Sequence, residues 1–341
     1  MLAPNTIQCP ISGPRFSRLP DMIDRQLPTL AELHMTLAVY TTVYPGVEKY
    51  LVDWYHSVRQ QTDQDFQLWI GLDMVEPESI QNLLGDDLNA HWVVAAPRST
   101  IAQVRQQALA RIVETCSQVV LVDSDDLLHP TRVAAARAGL ESSELVGCAL
   151  CLIDQQGKDL ELTFSLPAQL GPDNVFPRNN IFGLSNSAFR SDLLRRCLPI
   201  PASALLVDWF LATRAWLLGA RLAFDRVPRM DYRQHSSNTA RIKLPFSPDQ
   251  VTSDTALVRQ HFQVVLDEPK QEFLQDRIST LRSMTTEVEA FHQHVVLDAE
   301  LLNDYVQALN ELHPAPLWWS SVANPALKRM WTSENSEYEK H

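Results

Sequence analysis

Short apolar runs alternate with amphipathic segments along most of the chain, from residue 35 onward. The runs Phe66–Leu72 and Val119–Val122 have the length and composition of β-strands. Between them, Tyr50–Gln61 and Ile101–Glu114 repeat their apolar residues at the spacing of a helix. Further strands are predicted at Met35–Tyr40, His91–Val94 and Leu145–Ile153, and a further helix at Leu206–Leu218. Strands that alternate with helices predict an α/β fold with parallel strands and helices on both faces.

The two ends of the chain depart from this alternation. Residues 1–34 contain several prolines and little periodicity, so we expect an N-terminal arm there. The α/β domain is expected over residues 35–245, and a helical extension, broken near Asp298, over residues 246–341. The extension either folds onto the α/β domain or forms a homo-oligomer with a second copy. Its apolar positions recur every seventh residue, at Leu274, Leu281, Val288, Val295, Leu302 and Leu309.

The composition excludes several classes of protein. With 341 residues, 45% of them apolar, the chain can bury a large core and is not disordered overall. A net charge of -12 argues against general nucleic-acid binding, which requires Lys and Arg to neutralise phosphates. We find no run of roughly 18 apolar residues that would form a transmembrane helix, and no signal peptide. The protein is therefore expected to be cytoplasmic.

The strand Val119–Val122 ends in the acidic cluster Asp123-Ser124-Asp125-Asp126. Ligands of open α/β sheets bind at the carboxyl ends of the strands, so this position favours a functional site. Clustered carboxylates repel one another, and a cation that binds them removes this repulsion. Carboxylate oxygens suit Mg²⁺ or Mn²⁺. A metal ion held there would neutralise a diphosphate.

The acidic cluster also fits other interpretations. The aspartates can simply precede a helix that begins near Pro130. An EF-hand is excluded, because Leu128 and Ala134 stand where that calcium loop requires Gly and Glu. A phosphatase with an aspartate nucleophile would require a downstream Lys, and Lys158 is the one Lys between residues 126 and 208. The helix-start and phosphatase interpretations stay open at this point.

The cysteines do not indicate a disulfide framework or a paired zinc motif. Cys148 and Cys151 have the spacing C-x-x-C, but they fall within the predicted strand Leu145–Ile153. Residues three apart on a strand point to opposite faces. We therefore expect buried structural thiols.

Several motifs follow one another in a fixed order. They are Thr41-Thr42-Val43-Tyr44 after the first strand, Asp73 after the second, Arg105 within Thr100 to Ala108, the acidic cluster, Phe182 to Arg190, Val207-Asp208-Trp209 and Tyr232-Arg233-Gln234-His235. In this order, the chain from about Met35 to Arg241 resembles the family 2 glycosyltransferases. The resemblance implies a GT-A fold, a Rossmann-like, mixed and mostly parallel sheet flanked by helices, here with a C-terminal helical extension.

The resemblance also implies roles for single residues. A nucleotide-sugar donor would contact Thr41, Tyr44, Asp73, Arg105 and Asp123. In the family a later Asp of the cluster binds the metal ion, here Asp125 or Asp126, and His235 is available to the metal or the diphosphate. Asp208 takes the position of the catalytic base, although Val207 replaces the Glu that precedes it in the family.

The implied activity is inverting sugar transfer, dependent on Mn²⁺ or Mg²⁺, to a saccharide or other hydroxyl acceptor. Arg105 and His235 would stabilise the leaving diphosphate, and Asp208 would deprotonate the acceptor hydroxyl. The tryptophans Trp318, Trp319 and Trp331 either cover an apolar patch, form part of an acceptor site or meet a partner.

Two alternative functions stay open: an inactive GT-A-like module for binding or assembly, and a nucleotidyltransferase. The Gly-rich, basic phosphate loop typical of the second class does not occur after the first strand. The sequence does not indicate which sugar, nucleotide or acceptor is used.

Overall fold

A computed structural model describes residues 36–85, 88–236, 238–240 and 242–332. The predicted N-terminal arm, residues 1–34, lies outside these residues. The strands are β1 Leu37–Val43, β2 Phe66–Leu72, β3 Ala90–Val94, β4 Gln118–Leu121, β5 Leu127–Leu128, β6 Leu145–Ile153, β7 Asp159–Phe164, β8 Ser187–Arg190 and β9 Leu222–Arg233. The α-helices are α1 Glu48–Arg59, α2 Pro77–Leu84, α3 Ile101–Thr115, α4 Arg132–Ser142, α5 Pro172–Val175, α6 Ser191–Cys197, α7 Val207–Leu217, α8 Pro248–Asp267, α9 Gln275–Phe291 and α10 Ala299–Leu312.

The strands form one mixed sheet in the order β3-β2-β1-β4-β8-β6-β9-β5, with β7 paired to β6. Its first half is parallel: β1 lies between β2 and β4, and β3 extends the edge beside β2. Every residue of β1 is buried, because this central strand is covered on both faces. The carboxyl ends of β1, β2 and β4 therefore meet at one edge of the sheet.

The second half of the sheet brings distant segments beside that edge. β8 runs antiparallel to both β4 and β6, and β9 runs parallel to β6 over its whole length. β5, directly after the acidic cluster, pairs antiparallel with β9. As a result, the segment that follows β9 lies beside the aspartates that follow β4.

The helices pack on the sheet through the faces that the sequence predicts. In α1 the apolar residues Leu51, Trp54, Tyr55 and Val58 are buried. α3 begins with a capping box, in which Thr100 and Gln103 each accept a hydrogen bond from the other's backbone N–H, at 3.3 and 2.8 Å. α7 is buried on nearly all sides. This helix therefore belongs to the core.

The C-terminal helices bury most of their predicted apolar positions against other parts of the same chain. Leu281, Val288, Val295, Leu302 and Leu309 are all buried, whereas Leu274 is partly exposed. A π-helical turn over His292–Val296 ends α9, and Asp298 caps α10 by accepting hydrogen bonds from two backbone N–H groups. The break that the sequence predicts near Asp298 is thus present. The helices pack onto α7 and one another, as the folded-back alternative predicts; the domain boundary at residue 245 stays a prediction.

The predicted α/β architecture is confirmed, but several elements have no counterpart in the prediction. These are the strands β5 and β9 and the short helices α2, α5 and α6. Cys148 is buried in β6 as expected, but Cys151 is only half-buried. Among the described residues, no helix combines the length and apolar character needed to cross a bilayer.

Candidate active site

A cavity of about 500 Å³ opens at the carboxyl ends of β1, β2 and β4. Tyr44 follows β1, Asp73 follows β2 and Asp123 follows β4, and all three line the cavity. The sequence predicts that Asp73 and Asp123 emerge at the same edge of the sheet, and they do. Carboxyl ends of strands are where α/β sheets bind ligands, so this cavity is the candidate active site.

Arg105 and Asp123 form an ion pair at the wall of the cavity. Arg105 projects from α3, and its Nη2 lies 3.1 Å from Asp123 Oδ1. The two side chains are 15% and 29% exposed, so Arg105 is not a freely solvated surface charge. Among the described residues, the Nε–H of Arg105 has no hydrogen-bond partner. A guanidinium held in this way presents positive charge to a bound anion.

Burial and neighbouring carboxylates raise the pKa of Asp123 to about 7, although Arg105 opposes the shift. Asp125 and Asp208 are the neighbours that raise it further. The pKa is raised because burial removes water from the charged carboxylate, and because the neighbouring carboxylates repel its charge. The carboxylates at this edge of the sheet therefore favour a cation.

Asp125 and His235 meet across the sheet edge. His235 Nε2 lies 2.7 Å from Asp125 Oδ2, and both side chains are almost fully buried. The ring of His235 stacks on Tyr50 at 5.5 Å, and its backbone N–H donates to Asn238. A carboxylate oxygen and an imidazole nitrogen, both held in place, are suitable first ligands for a divalent metal ion.

Asp208 lies in the first turn of α7 and lines the same cavity as Asp123 and Asp125. Asn180 Nδ2 donates to Asp208 Oδ2 at 2.8 Å. The orientation of the Asn180 amide is fixed, because its Oδ1 accepts a hydrogen bond from the backbone N–H of Phe182 at 3.0 Å. Burial is the main cause that raises the pKa of Asp208, and the bond from Asn180 opposes it. Asp208 therefore has one fixed donor and a cavity-facing position suited to accepting a proton.

Comparisons with known proteins identify the fold. No protein-family model matches the chain, and no curated protein matches it. Among solved structures, S. aureus TarS residues 1–349 in complex with UDP superposes with a TM-score of 0.52 and 16% identity, over 76% of this chain and 72% of that one. The complex of the same TarS fragment with UDP-GlcNAc gives a TM-score of 0.54 and 15% identity, over 83% and 82%. This is the GT-A fold. Against a longer TarS structure the chain covers 48% of that protein.

Within the GT-A fold, the two later aspartates of the acidic cluster have different surroundings. Asp125 lines the cavity, whereas Asp126 is fully buried behind it. Asp126 accepts hydrogen bonds from the hydroxyl of Ser185 and from the backbone N–H of Arg233, the latter at 2.7 Å. Burial, together with Asp125 and Asp123, raises the pKa of Asp126 well above its usual range. Asp126 therefore connects the segment after β4 to the end of β9 through a hydrogen bond.

Thr41 is the other predicted contact that does not line the cavity. It lies within β1 and is fully buried, and its hydroxyl has no partner among the described residues. Tyr44 and Pro45, at the end of the same strand, line the cavity instead. The predicted role of Thr41 at the nucleotide stays a prediction.

The structure adds residues that the sequence did not single out. Asn180 contacts Asp208, and the hydroxyl of Ser185 contacts both Asp123 and Asp126. Each lies in or beside Phe182 to Arg190, a segment identified by resemblance without roles for its polar side chains. An Asn or Ser in a loop has no periodicity that would reveal such a contact.

Trp318 and Trp319 reach the cavity of this GT-A domain from the C-terminal extension. Trp318 pairs with Asn180 in an isolated β-bridge, and both rings line the cavity. They are about 95% buried, each with 5% of its surface exposed, and neither indole N–H has a partner among the described residues. Trp331, in contrast, packs against Phe291 and Tyr305. The extension therefore supplies part of the cavity wall beside Asp208.

Proposed function

We propose that this protein is an inverting glycosyltransferase that moves a sugar from a nucleotide-diphosphate sugar to an acceptor hydroxyl. One observation carries the proposal. Arg105, Asp125 and His235 line the same cavity as the half-buried carboxylate Asp208. Sugar transfer by direct displacement needs both of these parts: charge stabilisation at the leaving group and a base at the attacking hydroxyl. Membership of family 2 is part of the proposal.

The donor nucleotide would bind along the edge lined by Tyr44, Asp73, Arg105 and Asp123. The aromatic ring of Tyr44 offers an apolar surface for a base, and the carboxylates are suited to accept hydrogen bonds from ribose hydroxyls. The structurally similar TarS fragment was solved with UDP and with UDP-GlcNAc. We infer from this that the donor of the present protein is also a nucleotide-diphosphate sugar.

A divalent metal ion, Mn²⁺ or Mg²⁺, fits the residues on the leaving-group side. Asp125 and His235 would hold it, because they line the cavity and approach each other through ligand atoms. Asp123 and Asp208 bring further carboxylates to the same cavity, and a cation would reduce the repulsion between them. When bound, the ion would neutralise the charge of the diphosphate. Asp126 would act as a support of this turn rather than as a ligand.

The residues of the chain then perform a single displacement. Asp208 accepts the proton of the acceptor hydroxyl, whose oxygen bonds to the anomeric carbon as the bond from that carbon to the diphosphate oxygen breaks. Arg105 stabilises the negative charge that remains on the nucleoside diphosphate. Attack on the side opposite the leaving group inverts the anomeric configuration, by analogy with inverting glycosidases.

The acceptor would lie between Asp208 and the tryptophan wall. Trp318 and Trp319, with Leu205 and Leu206, form the apolar part of the cavity on this side. A saccharide presents C–H groups that pack on such rings. A saccharide or another hydroxyl compound is therefore the proposed acceptor class.

The first test is a thermal-shift and calorimetric screen of UDP, GDP, dTDP, CMP and the corresponding nucleotide sugars, with and without Mn²⁺. We expect one nucleotide to stabilise the protein in a metal-dependent manner, with the mass-action dependence of a native-state ligand. Asp125→Ala should weaken this binding, and Asp192→Ala, at an exposed position of α6, serves as the control.

The outcome also distinguishes the alternative functions. A folded protein that responds to none of these ligands would overturn the proposal and favour a binding or assembly module. Release of pyrophosphate, rather than of a nucleoside diphosphate, would favour a nucleotidyltransferase.

A further inference from the structure

A second cluster of metal-ligating side chains lies on three neighbouring strands, and it comprises His129, Cys151 and Asp231. Cys151 on β6 is the register partner of Asp231 on β9. β5 pairs with the other edge of β9, and His129, directly after β5, continues this pairing through a backbone hydrogen bond to Arg229. Successive residues of a strand point to opposite faces. Because Tyr232 lines the candidate active site, Asp231 points away from it.

The three side chains offer a nitrogen, a sulfur and an oxygen atom at one point. These atoms all lie within 4.8 Å of one another. His129 Nε2 is 2.8 Å from Asp231 Oδ1, and these two side chains are 32% and 28% exposed. Imidazole, thiolate and carboxylate are the ligands that zinc uses in proteins, and partial exposure leaves a fourth position for water.

The hydrogen bonds of His129 direct its Nε2 atom at Asp231 and its Nδ1 atom at a backbone carbonyl. Its Nδ1 lies 2.9 Å from the backbone carbonyl oxygen of Pro228. A carbonyl oxygen only accepts, so Nδ1 carries the hydrogen and Nε2 points at Asp231. At this distance a proton joins the two atoms, and a metal ion would take the place of this proton after a small outward shift of the side chains. Histidines that bind metal ions commonly donate their other N–H to a backbone carbonyl in this way.

The local charges match a divalent cation. With zinc bound, the carboxylate of Asp231 and the thiolate of Cys151 would supply two negative charges, and His129 would be a neutral ligand. The neighbouring cation Arg229 is engaged elsewhere, at 2.8 Å from Asp225 Oδ2 and 2.7 Å from Thr131 Oγ1. A zinc ion would therefore leave the cluster electrically balanced.

We propose that His129, Cys151 and Asp231 form a zinc site that is separate from the candidate active site. The site would join β5, β6 and β9. β5 directly follows the acidic cluster, and β9 leads to His235. An ion at this position would therefore hold together the two segments that carry Asp125 and His235, and its role would be structural.

Cobalt substitution tests the proposal, because Co²⁺ bound to a thiolate has a sulfur-to-cobalt charge-transfer band that carboxylate sites lack. The chelator-treated full chain carries Cys9→Ser, which removes a thiol outside the described residues, and is titrated with Co²⁺ and then with Zn²⁺. We expect one equivalent of Co²⁺ to give this band and Zn²⁺ to displace it. Cys151→Ser should abolish the band and weaken Zn²⁺ binding about a hundredfold or more.

Matched variants assign the signal to this cluster. Asp231→Asn should weaken Zn²⁺ binding with little change in side-chain shape, and circular dichroism reports whether each variant folds. Asp125→Ala, at the candidate active site, should leave the charge-transfer band unchanged. A wild-type protein without the band, or a band that survives in Cys151→Ser, would overturn the proposal. His129 and Asp231 would then form an ion pair only, and the proposed sugar transfer would be unaffected.

Discussion

Asp208 has the environment that a catalytic base requires, since it is half-buried, lines the cavity and accepts a hydrogen bond from the fixed amide of Asn180. Asp208→Asn keeps the shape of the side chain but removes its ability to accept a proton. We expect sugar transfer to slow by about a hundredfold or more, with donor affinity nearly unchanged. Initial rates and a donor titration by calorimetry check both values.

The control for this variant is Asp192→Asn, at an exposed position of α6, which should leave both quantities unchanged. If Asp208→Asn weakens donor binding as much as it slows transfer, Asp208 contributes to donor binding and is not the base. Transfer at the wild-type rate would contradict its catalytic role altogether.

Asn180 acts on the reaction through Asp208. The hydrogen bond from Asn180 stabilises the charged carboxylate and lowers the pKa of Asp208 against the effect of burial. Asn180→Ala removes this bond, so the pKa of Asp208 should rise further. A base works when deprotonated, so the acid limb of the pH–rate profile should move to higher pH, with transfer about tenfold slower below it.

The neighbouring Asn179 provides a matched control for Asn180. Its amide contacts the backbone carbonyl of Trp318 at 3.4 Å. Asn179→Ala should therefore leave the acid limb in place. If the acid limb of the pH–rate profile moves equally in both variants, the loop that contains Asn179 and Asn180 determines the pH dependence, and the bond to Asp208 does not.

The sequence predicts single residues best where a motif ends a strand or begins a helix. Asp123 is predicted from such a position, and Asp73 and Arg105 from the resemblance to the family; the structure brings all three to one cavity. The surroundings that separate Asp125 from Asp126 depend on Ser185 and on the end of β9, segments far away in the chain. Tertiary contacts of this kind leave no local signal, so the sequence left the two aspartates equivalent.

At the scale of elements, the segment after Asn180 and the C-terminal extension are packed without space between them. A Cβ atom at Gly183 would lie 2.5 Å from Cη2 and 2.6 Å from Cζ3 of Trp318. Trp318 cannot easily move, because its ring packs on Phe164 at 4.3 Å and on Tyr232 at 5.5 Å. We expect Gly183→Ala to destabilise the protein by about 1–3 kcal/mol, measured by urea unfolding.

A second substitution identifies the cause of that loss. Trp318→Phe lacks the two ring atoms that the new Cβ would meet, so the double variant should recover part of the stability that Gly183→Ala loses. Gly171→Ala is the control, because a Cβ there would make an ordinary 3.5 Å contact with Asn174. A Gly183→Ala protein as stable as the wild type would contradict the described packing.

Elements were predictable where their apolar pattern is continuous. β2 and β6 have the predicted bounds because each is a short and mainly apolar run. β9 was missed because Asp225, Arg226 and Pro228 interrupt its pattern, and its pairing with β6 contains register shifts. α2 buries only Ile80 and so has almost no apolar face to detect.

At the scale of the whole molecule, negative charge is concentrated where the proposed substrate is itself anionic. The net charge is -12, and Asp123, Asp125, Asp126 and Asp208 lie in or behind one cavity. Arg105 alone does not compensate for these carboxylates. Burial and the neighbouring acids raise the pKa of Asp123 although Arg105 lowers it. A bound cation would reconcile the acidic cavity with a diphosphate ligand.

This arrangement predicts how the stability of the metal-free protein depends on pH. Asp123 has an ordinary pKa of 3.8 that rises to about 7 in the folded protein, so the folded state binds more protons between these values. The contribution of Asp123 to the free energy of unfolding should therefore be largest below about pH 4, and it should be lost as the pH rises to about 7. Burial and Asp125 raise the pKa of Asp126, which acts in the same direction.

The measurement is the thermal unfolding midpoint across this pH range, with chelator and with Mn²⁺. Asp123→Asn removes one titrating group, so its midpoint should fall less steeply with pH than that of the wild type. Mn²⁺ should stabilise the wild type more at the upper end of the range, because protons compete with the cation for the same carboxylates at the lower end. If the wild type and Asp123→Asn have the same slope, Asp123 is ionised throughout the range. The excess of negative charge would then be balanced within the protein itself, and the argument for a cation at Asp125 and His235 would rest on their geometry alone.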